Sequence, residues 1–338
     1  MAQNMQNMET AGTDIHFPVG ELCRPGERID DLQRNGLRIL QDPARFCFGM
    51  DAVLLASYVQ MKKARRALDL GTGNGILPLL LSARTDCARL TGLEIQPASA
   101  DLAARSVALN GLEDRIDIVQ GDIREAGRLF KAASFDFITC NPPYRPVGAG
   151  RVSGKKQPAD VSAVGSEEQK LTVGTGGVSG KKQPADVSAV GSEEQKLTVG
   201  IDRISGKKQP ASDVKTAGQI LPADTVSALD PRAIARHELL CTLDDVVSAA
   251  AKLLRPGGHF YLVHRPLRLA QILTKLTLAG LEPKRMRLVY PHVDEAPNMV
   301  LLDCVRGGAP ELRVEPPLIV YEKDGSYTPE LRRLYYED

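Results

Sequence analysis

The feature that most restricts the fold of this chain is an alternation of short apolar strands with helical patterns, carried in two blocks of sequence. In the first block we expect strands at 67–70, 90–94, 116–119 and 135–140, separated by helices at 76–83 and 97–110. In the second block we expect a helix at 239–254, a strand at 259–264, a helix at 267–278 and an antiparallel pair of strands at 287–290 and 299–305. This order predicts an α/β fold, doubly wound around a mostly parallel seven-stranded sheet that ends in the antiparallel pair.

An internal repeat separates the two blocks. Residues 152–174 recur without change at 178–200, and a degraded third copy begins at Ile204 with the same period of 26 residues. Each copy lacks aromatic residues and scatters its valines and alanines among Gly, Ser and Pro, so it cannot bury enough apolar surface to offset the entropy of ordering. We therefore expect a disordered insertion at 151–229, an N-terminal segment at 1–35, and a single folded domain made of 36–150 and 230–338.

Charge, cysteine usage and hydropathy exclude several classes of protein. The 43 basic and 42 acidic residues give a net charge of +1, so any nucleic-acid binding must come from a local cluster of charge. The six cysteines form no C-x-x-C pair, which argues against a zinc site and against a disulfide framework, and we expect no metal. Because the sequence has neither a secretory signal nor an apolar run of membrane-spanning length, we expect a cytoplasmic protein. We also expect it to be a monomer.

The stretch D-L-G-T-G-N-G at 69–75 follows the first strand directly and opens a helix. Its glycines, Gly71, Gly73 and Gly75, permit a tight turn and a close approach of a ligand to the backbone. No Lys-Ser/Thr pair follows, so the pattern is not that of a phosphate-binding P-loop. Glu94 closes the second strand, where an acid can accept hydrogen bonds from a ribose diol. The simpler interpretation is a tight turn and a surface glutamate.

Three more residues complete the predicted cofactor site. Asp69 opens the glycine stretch, Ile95 adjoins Glu94, and Asp122 ends the third strand at the same edge of the sheet, where it could contact an adenine amino group. The arrangement therefore predicts a ribose-bearing cofactor.

The fourth strand ends in N-P-P-Y at 141–144. Together with the glycine stretch and the strand-end glutamate, this motif resembles the class I methyltransferases that use S-adenosylmethionine on nitrogen. An amide or exocyclic nitrogen is a poor nucleophile, so its site should accept hydrogen bonds from its N–H groups as positive charge develops. The side-chain oxygen of Asn141, which we also count as a cofactor contact, and the carbonyl of Pro142 can do so, and Tyr144 offers a ring for stacking a base. The alternative is a proline-rich turn after a buried strand.

Three other stretches narrow the resemblance. They are F-C-F-G-M-D-A-V-L-L at 46–55, R-A-I-A-R-H-E at 232–238 and P-P-L-I-V-Y-E-K-D-G-S-Y-T-P-E at 316–330. All three resemble the bacterial tRNA1(Val) adenine-N6-methyltransferases. The resemblance implies S-adenosylmethionine as the cofactor, tRNA as the partner, and N6-methylation of the adenine beside the anticodon. The repeats are a departure from this family, and they lie where a substrate-facing loop would be.

Three alternatives remain open at this point. Methylation of a glutamine amide in peptide release factors is one, because its site also resembles N-P-P-Y. Methylation of another RNA or DNA amino group is the second, and an RNA-binding module without activity is the third.

A local excess of basic residues suggests where RNA would bind. Residues 255–290 contain seven Lys or Arg and a single acid, Glu282. We predict phosphate contacts at Arg145, Arg265, Arg268, Lys284, Arg285 and Arg287. The alternative is an ordinary solvated surface.

Overall fold

A computed structural model describes residues 22–45, 47–143 and 240–336 of the chain. All of these residues belong to one compact unit. The repeats, Tyr144 and Arg145 lie outside the described residues, so the predictions made for them stay predictions. Within the described ranges, no helix is long and apolar enough to cross a membrane.

The described elements alternate between strands and helices along most of the chain. In chain order they are β1 (Arg28–Asp31), β2 (Arg38–Gln41), α1 (Met50–Tyr58), β3 (Arg66–Leu70), α2 (Ile76–Arg84), β4 (Arg89–Glu94), α3 (Pro97–Leu109), β5 (Ile116–Gln120), α4 (Ala126–Leu129), β6 (Phe135–Cys140), α5 (Leu243–Leu253), β7 (Leu254–His264), α6 (Leu269–Leu278), β8 (Leu281–Tyr290), β9 (Met299–Arg306), β10 (Arg313–Val314), β11 (Leu318–Ile319) and α7 (Pro329–Tyr336).

The central sheet has the order β5-β4-β3-β6-β7-β9-β8. Strands β3 to β7 pair in parallel, whereas β9 lies antiparallel between β7 and β8. The predicted α/β fold with a mostly parallel sheet and a closing antiparallel pair is therefore confirmed. The short strands β10 and β11, which we did not predict, extend the sheet by pairing in parallel with β8.

Helices cover both faces of the sheet. Successive residues of each strand point to opposite faces, so neighbours in a strand belong to different clusters. On one side Phe137 and Tyr261 pack in a cluster with α1 and α2. On the other side their neighbours Ile138 and Leu262 pack with α5 and α6. A strand buried on both faces reads as a continuous apolar run, which explains why the pattern at 135–140 could be recognised from the sequence.

Three predicted boundaries in the second block are corrected. The strand expected at 287–290 already starts at Leu281. The helix expected from residue 239 starts at Leu243, because the Thr242 side chain and Asp245 form a reciprocal capping box that fixes the first turn. The strand expected from residue 259 already starts at Leu254. The intervening R-P-G-G stretch is an irregularity in the pairing of β6 with β7 and does not separate helix from strand.

The N-terminal part of the described chain adds a hairpin and a helix that the sequence did not predict. Strands β1 and β2 pair with each other in a separate two-stranded sheet, and the boundary expected at residue 35 falls between them. Helix α1 is buried almost throughout. Its apolar residues lie on all sides, so it lacks the one-sided spacing that identifies a surface helix.

Candidate active site

A pocket opens at the carboxyl ends of β3, β4 and β6, where the first predicted motif lies. The chain leaves β3 through Gly71, Gly73 and Gly75, whose φ angles are +74°, +60° and +85°. L-residues with a side chain rarely adopt such angles, so the turn depends on glycine at these positions. At Gly75 space is also short, because a Cβ there would lie 3.2 Å from the Cβ of Ala103 on α3. The loop thus brings its backbone to the pocket and its last glycine against a helix.

Glu94, at the end of β4, is tied to this loop. Its Oε2 accepts a hydrogen bond from the Gly73 N–H at 2.9 Å, and its Oε1 accepts one from the Gln96 N–H at 2.9 Å. The side chain is buried, and burial raises the pKa of Glu94 to about 7, with the Asp69 carboxylate adding to the rise and the two backbone hydrogen bonds opposing it. Hydrogen bonds that a ligand donates to this carboxyl group favour its ionised form, in which both oxygens are acceptors.

Asp69 lies beneath the glycine loop and does not line the pocket. Its Oδ1 accepts a hydrogen bond from the Thr139 hydroxyl at 2.7 Å, which connects β3 to β6. Burial raises the pKa of Asp69 to about 6 against the opposing effect of this hydrogen bond. The observed contacts support the turn, and a direct contact of Asp69 with a cofactor stays a prediction.

Asp122 has a structural partner. It accepts hydrogen bonds from the Arg124 backbone N–H at 2.8 Å and from its guanidinium at 2.6 Å, and it caps a single turn of 3-10 helix. The next residue, Ile123, lines the pocket in its place. The adenine contact that we predicted for Asp122 therefore stays a prediction as well.

The N-P-P motif lines the same pocket as the glycine loop. Asn141, Pro142 and Pro143 follow β6 there, and Gly71 and Glu94 belong to the same lining. Of the predicted site residues, the structure brings together in this pocket Gly71, Gly73, Glu94, Ile95, Asn141 and Pro142. Gly75, like Asp69 and Asp122, lies outside its lining.

Sequence reasoning missed two other walls of the pocket. Arg45 and Phe48 come from the segment before α1, Ala52 comes from the first turn of α1, and Leu240 and Cys241 come from the segment before α5. The first group belongs to or adjoins the F-C-F-G-M-D-A stretch, so its family resemblance was an available sign. The second group carries no pattern of its own.

The pocket suits a nucleoside that carries a polar chain. Ile95, Leu102 and Ile123 offer apolar contact for a base, and Glu94 offers an acceptor. Asn74 also lines the pocket, and its side-chain Nδ2 is buried without a hydrogen-bond partner among the described residues. Since a buried donor without a partner is costly, this atom marks a place where a ligand acceptor fits. No group of three or more His, Cys, Asp and Glu side chains comes together as a possible metal site in the part of the chain that the structure describes.

The predicted phosphate-contacting face is not a single face. Arg285 is 16% exposed, and its guanidinium pairs with Glu315 at 2.7 Å and with Asp303 at 3.2 Å. Arg287 pairs with Glu330 at 2.6 Å. Carboxylates from distant segments thus neutralise both arginines, and we withdraw them as phosphate contacts.

The other predicted contacts lie at two places, with Arg265 and Arg268 in one turn after β7 and Lys284 elsewhere. Arg265 follows the carboxyl end of β7 and donates to the Asn298 carbonyl at 3.0 Å, and Arg268 donates to Gln271 at 2.8 Å. Lys284 lies near the start of β8 and donates to the Ala309 carbonyl at 3.0 Å. The next residue, Arg285, pairs with Asp303 on β9, and Asp303 pairs in turn with Tyr261 in the middle of β7. Lys284 is therefore distant from the carboxyl end of β7.

The fold and this pocket define a class I methyltransferase. The structure is similar to that of a predicted O-methyltransferase from Agrobacterium tumefaciens, with a TM-score of 0.51 and 19% identity over 85% of this chain and 96% of that one. Residues 37–153 match the family model of the methyltransferase small domain. This match covers the glycine loop, Glu94 and the N-P-P-Y motif, and it confirms S-adenosylmethionine as the cofactor.

Curated relatives are similar over the same region. The tRNA1(Val) (adenine(37)-N6)-methyltransferase of Aeromonas salmonicida is 35% identical over 105 residues, which cover 30% of this chain and 42% of the relative. The enzyme of the same name from Yersinia pestis is 35% identical over 107 residues, or 31% and 43% of the two chains. The family resemblance drawn from the sequence is confirmed. The match spans less than half the length of these relatives.

Proposed function

We propose that this protein transfers a methyl group from S-adenosylmethionine to N6 of an adenine in tRNA, namely the adenine beside the anticodon of tRNA1(Val). The observation that carries the proposal is that Asn141 and Pro142 line the same pocket as the glycine loop and Glu94. An acceptor site for an N–H group thus adjoins a cofactor site.

The residues present suit the cofactor. Gly71 and Gly73 would let it approach the backbone, Glu94 would accept hydrogen bonds from the ribose hydroxyls, and Ile95 with Ile123 would contact the base. The cofactor supplies an electrophilic methyl group bound to a sulfonium.

The chain's own contribution to the chemistry is orientation and hydrogen-bond acceptance. The Asn141 side-chain oxygen and the Pro142 carbonyl accept hydrogen bonds from the adenine amino group and thereby localise its lone pair. Pro142 and Pro143 have fixed φ angles, so these acceptors need little ordering when the substrate binds. Stacking of the extruded base on Tyr144, which lies outside the described residues, is part of the proposal and would contribute about 1–3 kcal/mol.

The names of the curated relatives support adenine in tRNA as the acceptor. The withdrawal of Arg285 and Arg287 leaves Arg265, Arg268 and Lys284, together with Arg145 outside the described residues, as the proposed phosphate contacts.

A labelling experiment tests the proposal. The full chain is incubated with methyl-labelled S-adenosylmethionine and either a tRNA1(Val) transcript, the same transcript with guanine in place of the target adenine, or a peptide release factor. We expect label only in the first transcript. Label in the release factor would establish the glutamine-amide alternative. Cofactor binding without label in any of the three acceptors would refute the proposed function and leave the other two alternatives, another RNA or DNA amino group and the binding module.

A further inference from the structure

The amino-acid portion of the cofactor carries a carboxylate, and the pocket contains a group suited to it that the sequence did not reveal. Among the described residues that line the pocket, Arg45 is the only one with a cationic side chain. The Glu94 carboxyl group shares this pocket, so a ligand there meets one acidic and one basic side chain. S-adenosylmethionine has one anionic group, its α-carboxylate.

The position of Arg45 is fixed from one side only. Its Nε donates to Asp42 Oδ2 at 3.1 Å, and its backbone N–H donates to the Asp42 carbonyl at 2.9 Å. Asp42 in turn accepts a hydrogen bond from the Ala44 N–H at 2.9 Å, which holds the turn between β2 and α1. The side chain of Arg45 is 28% exposed. One edge of the guanidinium is therefore anchored on the lining of the pocket.

The other end of the guanidinium is not engaged. The two terminal nitrogens of Arg45 make no hydrogen bond to any described residue, although an arginine carries five N–H donors. Their end-on arrangement matches the two oxygens of a carboxylate, and such charge-assisted pairs are stronger than neutral hydrogen bonds. The buried Nδ2 of Asn74, which also lacks a partner among the described residues, adds a further donor on the lining of the pocket.

We infer that Arg45, anchored by Asp42 and assisted by Asn74, binds the α-carboxylate of the cofactor. This inference rests on the cofactor part of the proposed function. It makes Arg45 a cofactor-binding residue and Asp42 a positioning residue, both supplied by the segment before α1 and not by the glycine loop.

Two ligands that differ only in the carboxylate test this inference. Binding of S-adenosylmethionine and of decarboxylated S-adenosylmethionine to the full chain is measured by titration calorimetry. We expect Arg45→Ala to weaken S-adenosylmethionine binding by about ten- to a hundredfold and to leave the decarboxylated ligand within about twofold. Arg45→Lys, which keeps the charge but not the fork, should give an intermediate loss for the first ligand only.

Arg28→Ala is the matched control, because Arg28 forms a comparable exposed ion pair with Asp30 on the hairpin outside the pocket. It should change neither affinity, and the melting temperatures of all variants establish that they are folded. Equal losses with both ligands, or no loss with either, would overturn the inference. If the wild-type chain binds neither ligand, the proposed function itself fails; if it binds both equally well, only the carboxylate site fails.

Discussion

Replacing Glu94 with glutamine should remove a loss of stability that the ligand-free protein suffers as the pH rises, and it should weaken cofactor binding. Burial raises the pKa of Glu94 from an ordinary value of 4.5 to about 7, so the folded state holds this proton more tightly than the unfolded state. The free energy of unfolding therefore falls as the pH rises from about 4.5 to about 7, and it levels off above that. A rise of this size corresponds to about 3 kcal/mol.

Glutamine removes this dependence because it does not titrate. It also turns one of the two acceptors that face the Gly73 and Gln96 N–H groups into a donor, which costs about 1–3 kcal/mol at every pH. The quantity to measure is therefore the difference in free energy of unfolding between Glu94→Gln and wild type, which should rise by about 3 kcal/mol between acidic and alkaline conditions. Asp69 titrates in both proteins, so its contribution largely cancels in the difference.

Urea denaturation of the ligand-free proteins at pH 5, 6.5 and 8 provides these values. Glu113→Gln, which removes an exposed carboxyl group outside the pocket, is the control variant. The reasoning is refuted if the difference for Glu94→Gln is also independent of pH. In calorimetry at pH 8, Glu94→Gln should bind S-adenosylmethionine more weakly than wild type, because the ribose loses an ionised acceptor.

Three other changes test separate parts of the account. Asn141→Ala should lower the rate of methyl transfer by about a hundredfold or more, because an acceptor that acts in the transition state affects turnover most. Its affinity for S-adenosylmethionine in calorimetry should change little, and comparable losses of rate and affinity would contradict the role of Asn141. Deletion of residues 152–203, two repeat periods, should leave the melting temperature within a few degrees, and a large drop would show that the insertion supports the fold. Arg285→Ala should destabilise the protein by about 3 kcal/mol in urea denaturation, because it leaves the buried Asp303 with one cationic partner fewer; a loss of tRNA affinity at unchanged stability would restore Arg285 as a phosphate contact.

Local patterns predicted most of the sheet. The strand at 135–140 was located without error, and those at 67–70, 90–94 and 116–119 to within one residue at either end, because each is a short apolar run bounded by turns. The glycine loop and the N-P-P motif were found as well, since both follow a strand directly. Helix α1 and the hairpin before it were missed, because neither has the spacing that local reasoning uses.

The predicted basic face shows what a local count of charge cannot detect. The seven basic residues between 255 and 290 stand almost alone in sequence, but Arg255, Lys275, Arg285 and Arg287 pair in space with Asp136, Asp244, Asp303, Glu315 and Glu330. All five acids lie outside the counted stretch, and one of them, Asp303, lies on β9, the strand that pairs with β8. Whether a charged side chain faces solvent or an ion-pair partner depends on how the strands pair. A short stretch of sequence does not show this pairing.

The sequence by itself determined the strand order along the chain, the turn that exposes the glycine backbone and the acceptor motif after β6, because hydrophobic periodicity and glycine conformation act over a few neighbouring residues. The tertiary structure decided which distant side chains share the pocket. Arg45, which precedes β3 in the chain, and Leu240, which follows β6, both line it. The tertiary structure also paired Arg285 with Asp303 and Glu315. The physical reason is that burial, pKa and ion pairing depend on neighbours in space, and these neighbours are set only when the strands pair and the helices pack.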